Sequence, residues 1–328
     1  MSNSVALDMF HPIQASSLQE GRVPNIDLYI QRESDEKPIL FLSRSLPVDH
    51  RIIKNISESD IHNLWVADED FEEFENYLNR NFASIIRDSN VPINSRCSLT
   101  YDLSVDLMEQ VYKSADPIEV MKQSEGVLNN IIEVIFADPN AANSFITLAS
   151  MDYHLYSHSI NVCLYGMALA RKALNISKEE ALTQFGPGLL LHDIGILSVD
   201  REILIKPAPL SYEEMTLIKE HPQKGLEMVE DFMEVSQETR EMILYHHERL
   251  DGSGYPEGLK GRNVSVPARI CAIVDSFDAI STNRCFQTRR SSFDSFNTLK
   301  KENTPHKLDD LYLNEFIRVF LPLDDILS

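Results

Sequence analysis

Apolar positions recur with two different periods along this chain. Near the N-terminus they come in short strand-like runs, Asp27–Ile30 and Ile39–Leu42, separated by the polar, turn-rich stretch Glu33–Pro38. Leu64–Val66 is a candidate third strand. Phe71, Phe74, Leu78, Phe82 and Ile85 then repeat at helical spacing, behind an acidic start at Asp68–Asp70 that suits a helix N-terminus. This pattern predicts a small α/β domain over residues 1–92, with a joint over Pro92–Ser98.

From about residue 100 the period is helical almost throughout, which predicts an all-α domain over residues 100–328 and an α+β chain overall. The expected helices are 103–114, 117–137, 152–174, 178–192, 212–232, 236–246, 267–282 and 308–320. Ser211 and Glu214 form a capping-box pattern, and Pro267 suits the first turn of another helix. The stretch 286–307 is polar and reads as partly loop. Only 11 glycines occur, yet Gly252, Gly254, Gly258 and Gly261 fall together. That loop needs unusual backbone angles or a close approach to something.

A length of 328 residues suits two domains, and 43% apolar with 25% charged residues suits a soluble globular protein. The net charge of −21 argues against nonspecific binding to DNA, RNA or an anionic membrane, and fits a protein that holds cations. Cys97, Cys163, Cys271 and Cys285 form no CxxC pair and read as reduced thiols. No signal-peptide pattern and no apolar run of about 18 residues is seen, so a cytoplasmic location is expected.

Six of the ten histidines lie between positions 154 and 247. His154 and His158 are four apart, on one face of a predicted helix. His192-Asp193 ends an apolar helix, and an imidazole beside a carboxylate suits a transition metal. His246-His247 precedes Glu248, Asp251 and the glycine cluster. Singly, an HD dipeptide is weak and a His pair near a loop is more simply a solvated pair. Asp275 and Asp278 interrupt an apolar helix, where a carboxylate needs a partner or a metal; Asp275 continues the buried register better. His11, His50, His62 and His306 lie outside this pattern.

Together these strings resemble the HD-GYP family. The resemblance rests on His192-Asp-Ile-Gly195, Lys219-Glu-His-Pro222 with Gly225, His246-His-Glu-Arg-Leu-Asp-Gly-Ser-Gly-Tyr-Pro256 with Gly258 and Gly261, and Ala268-Arg-Ile270 with Val274-Asp-Ser-Phe-Asp-Ala279. It covers about residues 100–320. The residues before it resemble, more loosely, the small domain that often precedes such domains. The resemblance implies an all-helical fold with two or three divalent metal ions, iron or manganese, acting as a phosphodiesterase on cyclic di-GMP or cyclic GMP-AMP. The product would be a linear dinucleotide or GMP.

Carried over by position, it implies metal ligation by His158, His192, Asp193, His221, His246, His247 and Asp275, with Asp193 bridging. His192, Asp193 and Tyr255 would serve the reaction, and Gly252, Gly254, Tyr255, Arg269 and Arg284 would lie against the ligand. Three positions depart from the family pattern. Ile196 stands where a Lys commonly meets the scissile phosphate, and Gln287 stands where a basic residue often follows Arg284. His154 replaces a Glu, so it either binds a third metal or leaves two. The competing expectation is a catalytically weak domain that binds a cyclic dinucleotide and signals through protein partners, with the N-terminal domain as regulator or adaptor. A homodimer through the helical half is compatible with either. An HD phosphohydrolase for another nucleotide is disfavoured by the GYP loop.

Overall fold

The computed structural model describes residues 9–320, except 19, 23, 32–37, 60, 62, 90, 114–116, 139–140, 149–154, 205, 207, 232–233, 283–290 and 304–305. The chain divides into two compact units, Met1–Leu99 and Thr100–Ser328.

The first unit contains β1 (Phe10–Gln14), β2 (Leu28–Ile30), β3 (Ile39–Leu42), α1 (His50–Glu58), β4 (Asn63–Ala67) and α2 (Phe71–Arg87). The strands form an antiparallel sheet in the order β1-β4-β2-β3. Leu28, Leu64 and Val66 from the strands share a core with Phe74, Tyr77, Leu78 and Ile85 of α2. The three expected strands and α2 are present. β1 was not expected, because Pro12 lies within it; as an edge strand it tolerates a residue without an N–H. α1 starts at Asp49, whose carboxylate accepts the Ile52 N–H at 2.9 Å.

Helix α3 (Ile93–Lys113) begins before the boundary at Leu99, and the helical unit continues with α4 (Pro117–Ala137), α5 (Ala141–Leu148), α6 (Leu155–Ala173), α7 (Glu179–Leu182), α8 (Gly186–Leu191) and α9 (Arg201–Leu204). It continues with α10 (Tyr212–Lys219), α11 (His221–Glu230), α12 (Gln237–Tyr245), α13 (Val266–Ser281), α14 (Ser292–Glu302) and α15 (Asp310–Phe320). Residues 93–98, expected as a joint, are instead the first turns of α3. The helix expected over 212–232 is two helices. Pro222 has no N–H for the preceding turn, so α10 ends at Lys219 and α11 starts at His221. The helix expected over 178–192 is likewise split into α7 and α8. The Ser211–Glu214 capping box forms as expected.

The polar stretch 286–307 contains α14, capped by Ser291, whose hydroxyl accepts the Asp294 N–H at 3.0 Å. Its Phe296 stacks on Phe277 of α13, and Phe316 and Phe320 of α15 complete an aromatic cluster with Tyr165 of α6. That cluster fixes α6 against α13, and α8 and α12 pack alongside. Cys163 and Cys271 are buried, and burial pushes both thiols up, so they act as core residues. Among the described residues, no helix is long and apolar enough to cross a membrane.

Candidate metal centre

Seven side chains from five places in the helical unit converge. His158 comes from the first turn of α6, and His192 with Asp193 from the end of α8. His221 opens α11, His246 and His247 follow α12, and Asp275 lies within α13. They form two adjoining groups of donors, His158, His192 and Asp275 in one and Asp193, His221, His246 and His247 in the other.

Local sequence explains the placement. The residues after Asp193 form a 3-10 turn, Ile194–Ser198, that lies against α11. A Cβ on Gly195 would run into the His221 carbonyl and come within 2.5 Å of the Gly225 nitrogen. Two glycines therefore let this turn and α11 touch backbone to backbone, which brings Asp193 beside His221.

Most of the imidazoles are oriented from behind. His192 Nδ1 lies 2.9 Å from the Leu189 carbonyl, and His221 Nδ1 lies 2.7 Å from that of Ile218. His246 Nδ1 faces the carbonyls of Met242 and Ile243 at 3.1 and 3.0 Å. His158 Nδ1 lies 2.7 Å from Asp278 Oδ2. Each of these partners only accepts, so each Nδ1 donates and each ring turns its Nε2 inward.

The inward nitrogens and carboxylate oxygens crowd one another. Asp193 Oδ1 lies 3.1 Å from His221 Nε2 and 3.4 Å from His246 Nε2. Its Oδ2 lies 3.6 Å from the Nε2 atoms of both His158 and His192. The Nε2 atoms of His221 and His246 are 3.2 Å apart, and His158 Nε2 is 3.4 Å from Asp275 Oδ1. His192 Nε2 is buried and has no hydrogen-bond partner. Carboxylates and imidazole nitrogens gathered this way suit a cation between them, and the unpartnered buried nitrogen of His192 has an unmet need.

The electrostatics favour the forms that bind cations. Burial holds His192 down at about 4, helped by the neighbouring His246 and His158 rings and opposed by Asp193. Burial also holds His247 well below its ordinary value, with His246 adding to the effect. Burial works to raise Asp193 and Asp275, but the surrounding imidazoles outweigh it and hold both carboxyls low. Neutral imidazoles and ionised carboxylates are the state in which these groups ligate a metal. The donor set and the orphaned nitrogen both fit divalent ions.

The glycine-rich loop borders this cluster. Gly252 has φ +83°, and a Cβ on Gly254 would come within 2.5 Å of the His247 carbonyl oxygen. The Tyr255 ring stacks on His247 at 4.6 Å, and the Lys219 ammonium lies over that ring, 5.3 Å from its centroid. Glu248 anchors the loop: its buried carboxylate accepts the N–H groups of Glu257, Gly258 and Leu259 at 2.7, 2.9 and 2.9 Å.

Some expectations do not hold in the structure. Arg269 is not free to meet a ligand. Its guanidinium donates to the carbonyls of Val264 and Gly261 and to the Asp309 carboxylate, so it braces the start of α13. Asp278 is more deeply buried than Asp275, although Asp275 was expected to continue the buried register better. His154, Arg284 and Gln287 lie outside the described residues. Sequence reasoning also missed Glu248, Lys219, and Asn161 behind Asp278. The (i, i+3) spacing His158–Asn161 could have flagged the last of them.

Comparison with known proteins agrees with this geometry. A profile of the HD domain matches residues 148–310. The cyclic di-GMP phosphodiesterase PA4108 of Pseudomonas aeruginosa is 38% identical over 161 residues, which are 49% of this chain and 38% of that protein. A cyclic di-GMP phosphodiesterase of Thermotoga maritima is 35% identical over 208 residues, 63% of this chain and 52% of that protein. The chain thus spans about half or less of these relatives. Among solved structures, Bd1817, a HDG"Y"P protein from Bdellovibrio bacteriovorus, superposes with a TM-score of 0.61 over 97% of this chain and 99% of that one. At 19% identity, that likeness concerns the fold alone.

Proposed function

We propose that the chain belongs to the HD-GYP family and is a metal-dependent phosphodiesterase that opens a cyclic dinucleotide, cyclic di-GMP first among candidates, to the linear dinucleotide or to GMP. The observation that carries this reading is the convergence of imidazole nitrogens around Asp193, with His192 Nε2 left unpartnered. Iron or manganese suits the mixed imidazole and carboxylate donors.

Divalent ions in the two donor groups would lower the pKa of a coordinated water and offset charge on the phosphoryl oxygens. The chain's own part is positional. Backbone carbonyls and Asp278 hold four imidazoles with Nε2 inward. Asp193 turns one oxygen toward each group, the arrangement a shared ligand needs. Tyr255 walls the site beside His247, and Lys219 places a cation at that wall, where a ligand phosphate would be met. Gly252 and Gly254 shape the loop that borders the ligand, and Arg284 is proposed as a phosphate contact. His154 is the candidate ligand for a third ion. The N-terminal unit, which carries the sheet, is assigned regulation or partner binding.

A second reading is favoured by one residue. Ile196 puts no donor where the family commonly has Lys, and its own N–H caps back onto the Asp193 carbonyl at 2.9 Å. In that reading the centre holds metal and nucleotide with little turnover, and signals through partners. The deciding experiment is anaerobic purification, determination of bound metal, and incubation with cyclic di-GMP with and without Fe(II) or Mn(II), with products followed by chromatography. Metal-dependent product, reduced more than about a hundredfold by His192→Ala or Asp193→Ala, is the expected result; that loss exceeds the ~10–100-fold typical of groups that only support ligands. Bound metal without product from cyclic di-GMP or cyclic GMP-AMP would favour the second reading.

A further inference from the structure

The two donor groups are not supported alike. His192, His221 and His246 are each backed by main-chain carbonyls. His158 is backed by a carboxylate, with its Nδ1 2.7 Å from Asp278 Oδ2. The other Asp278 oxygen accepts the side-chain amide N–H of Asn161 at 2.9 Å, and the Asn161 carbonyl oxygen accepts the Tyr101 hydroxyl at 3.0 Å. Asp278 and Asn161 are fully buried, in surroundings where an unpaired carboxylate would be costly.

The polarity of this chain is fixed from end to end. A carboxylate only accepts, so His158 Nδ1 must donate to it and Asn161 must turn its amide nitrogen toward it. That leaves the Asn161 oxygen for the Tyr101 hydroxyl. No reversed arrangement satisfies the carboxylate.

We infer that Asp278, steadied by Asn161 and Tyr101, is a positioning residue that makes the two ion positions unequal, strengthening the one formed by His158, His192 and Asp275. A carboxylate behind a ligating imidazole fixes its tautomer and makes its outward nitrogen a stronger donor than a carbonyl does. The ion beside His158 is therefore held by a better-supported ligand set than its neighbour. The inference rests on the metal-centre reading above and adds an order of affinity to it.

The test uses the full-length protein, stripped of metal and titrated with Mn(II), with ion count and affinity read by calorimetry and the spin state of the pair by electron paramagnetic resonance. Wild type is expected to take up two ions and to show an exchange-coupled signal. Asp278→Asn should keep one ion at wild-type affinity and weaken the other by about 10–100-fold. At one equivalent it should show the hyperfine pattern of an isolated Mn(II) ion. His221→Ala should weaken the opposite position. Tyr101→Phe removes only the last donor of the chain and should weaken the same ion as Asp278→Asn, by about 2–10-fold. It carries the test if circular dichroism finds Asp278→Asn unfolded. Two ions in every variant with unchanged affinities, or equal weakening of both, would overturn the inference while leaving the metal centre standing. A wild-type protein that takes up no Mn(II) would overturn the metal-centre reading, and the inference with it.

Discussion

The two units treat their buried polar groups in opposite ways. In the sheet-bearing unit every such group described meets a complementary partner nearby. Asn81 donates to the Tyr77 carbonyl one turn back, at 2.7 Å, and Arg96 donates to the carbonyls of Val91 and Ile86. Arg44 bridges Asp27 and Asp70 at 3.1 and 2.8 Å. Among the described residues of that unit donors and acceptors balance, and none of them calls for a ligand. In the histidine cluster of the helical unit the Nδ1 donors point outward, to carbonyls and Asp278, and the Nε2 atoms crowd together around Asp193. Burial of polar groups is thus no sign of a site by itself. What distinguishes a site is an imbalance that a bound cation would correct, as at the unpartnered His192 Nε2.

That contrast predicts where metal acts on stability. Removing metal with a chelator should lower the stability of the helical unit and leave the sheet-bearing unit unchanged. The expected loss is about 2.7 kcal/mol when free metal had stood about a hundredfold above its dissociation constant. Scanning calorimetry with and without chelator should resolve the two transitions. A shift confined to the sheet-bearing unit would break the comparison.

The next effect sharpens the comparison within the helical unit, because Glu248 is buried beside the cluster yet balanced. Its two oxygens receive three N–H groups of the glycine-rich loop. Glu248→Gln replaces one oxygen with an amide nitrogen that must face an N–H, at a cost of about 2 kcal/mol. Urea denaturation should show a lower midpoint with an unchanged slope. The ion count should not change; loss of an ion would make Glu248 part of the imbalance instead of part of the scaffold.

These distinctions were only partly legible in the sequence. The periodicity of Phe71, Phe74, Leu78, Phe82 and Ile85 predicted α2, and Ser211 with Glu214 predicted the start of α10, because both signals are local. The converging histidines and aspartates were legible through the motif strings they sit in. Which of them are backed by carbonyl or by carboxylate was not, since that depends on α6 meeting α13. Tyr101 has no local signal at all, because it reaches Asn161 across 60 positions of sequence. Arg269 misled for the converse reason: its position in the motif says nothing of Asp309, which lies 40 residues away and binds it. β1 escaped notice because Pro12 argues against a central strand, and only the sheet order reveals an edge.

The smallest effect expected is on the balanced side. Arg44 is half exposed, its pairing with Asp27 is of the screened surface kind, and its other partner Asp70 also accepts the Asp27 N–H at 3.4 Å. The Asp27 carboxyl is held below its ordinary value first by the Arg44 backbone N–H, against the opposing pull of burial, and then by the guanidinium. A carboxyl lowered in the folded state contributes stability above its unfolded pKa, and that contribution is lost as pH falls through the folded value. Arg44→Ala keeps the backbone N–H and removes the guanidinium, so it should reduce the lowering without abolishing it. The sheet-bearing unit should then be slightly less stable at neutral pH and lose less on acidification toward about pH 2. Its calorimetric midpoint across that range provides the check, with Mn(II) uptake unchanged. A variant that altered Mn(II) uptake would mean that the balanced unit reaches the metal centre after all.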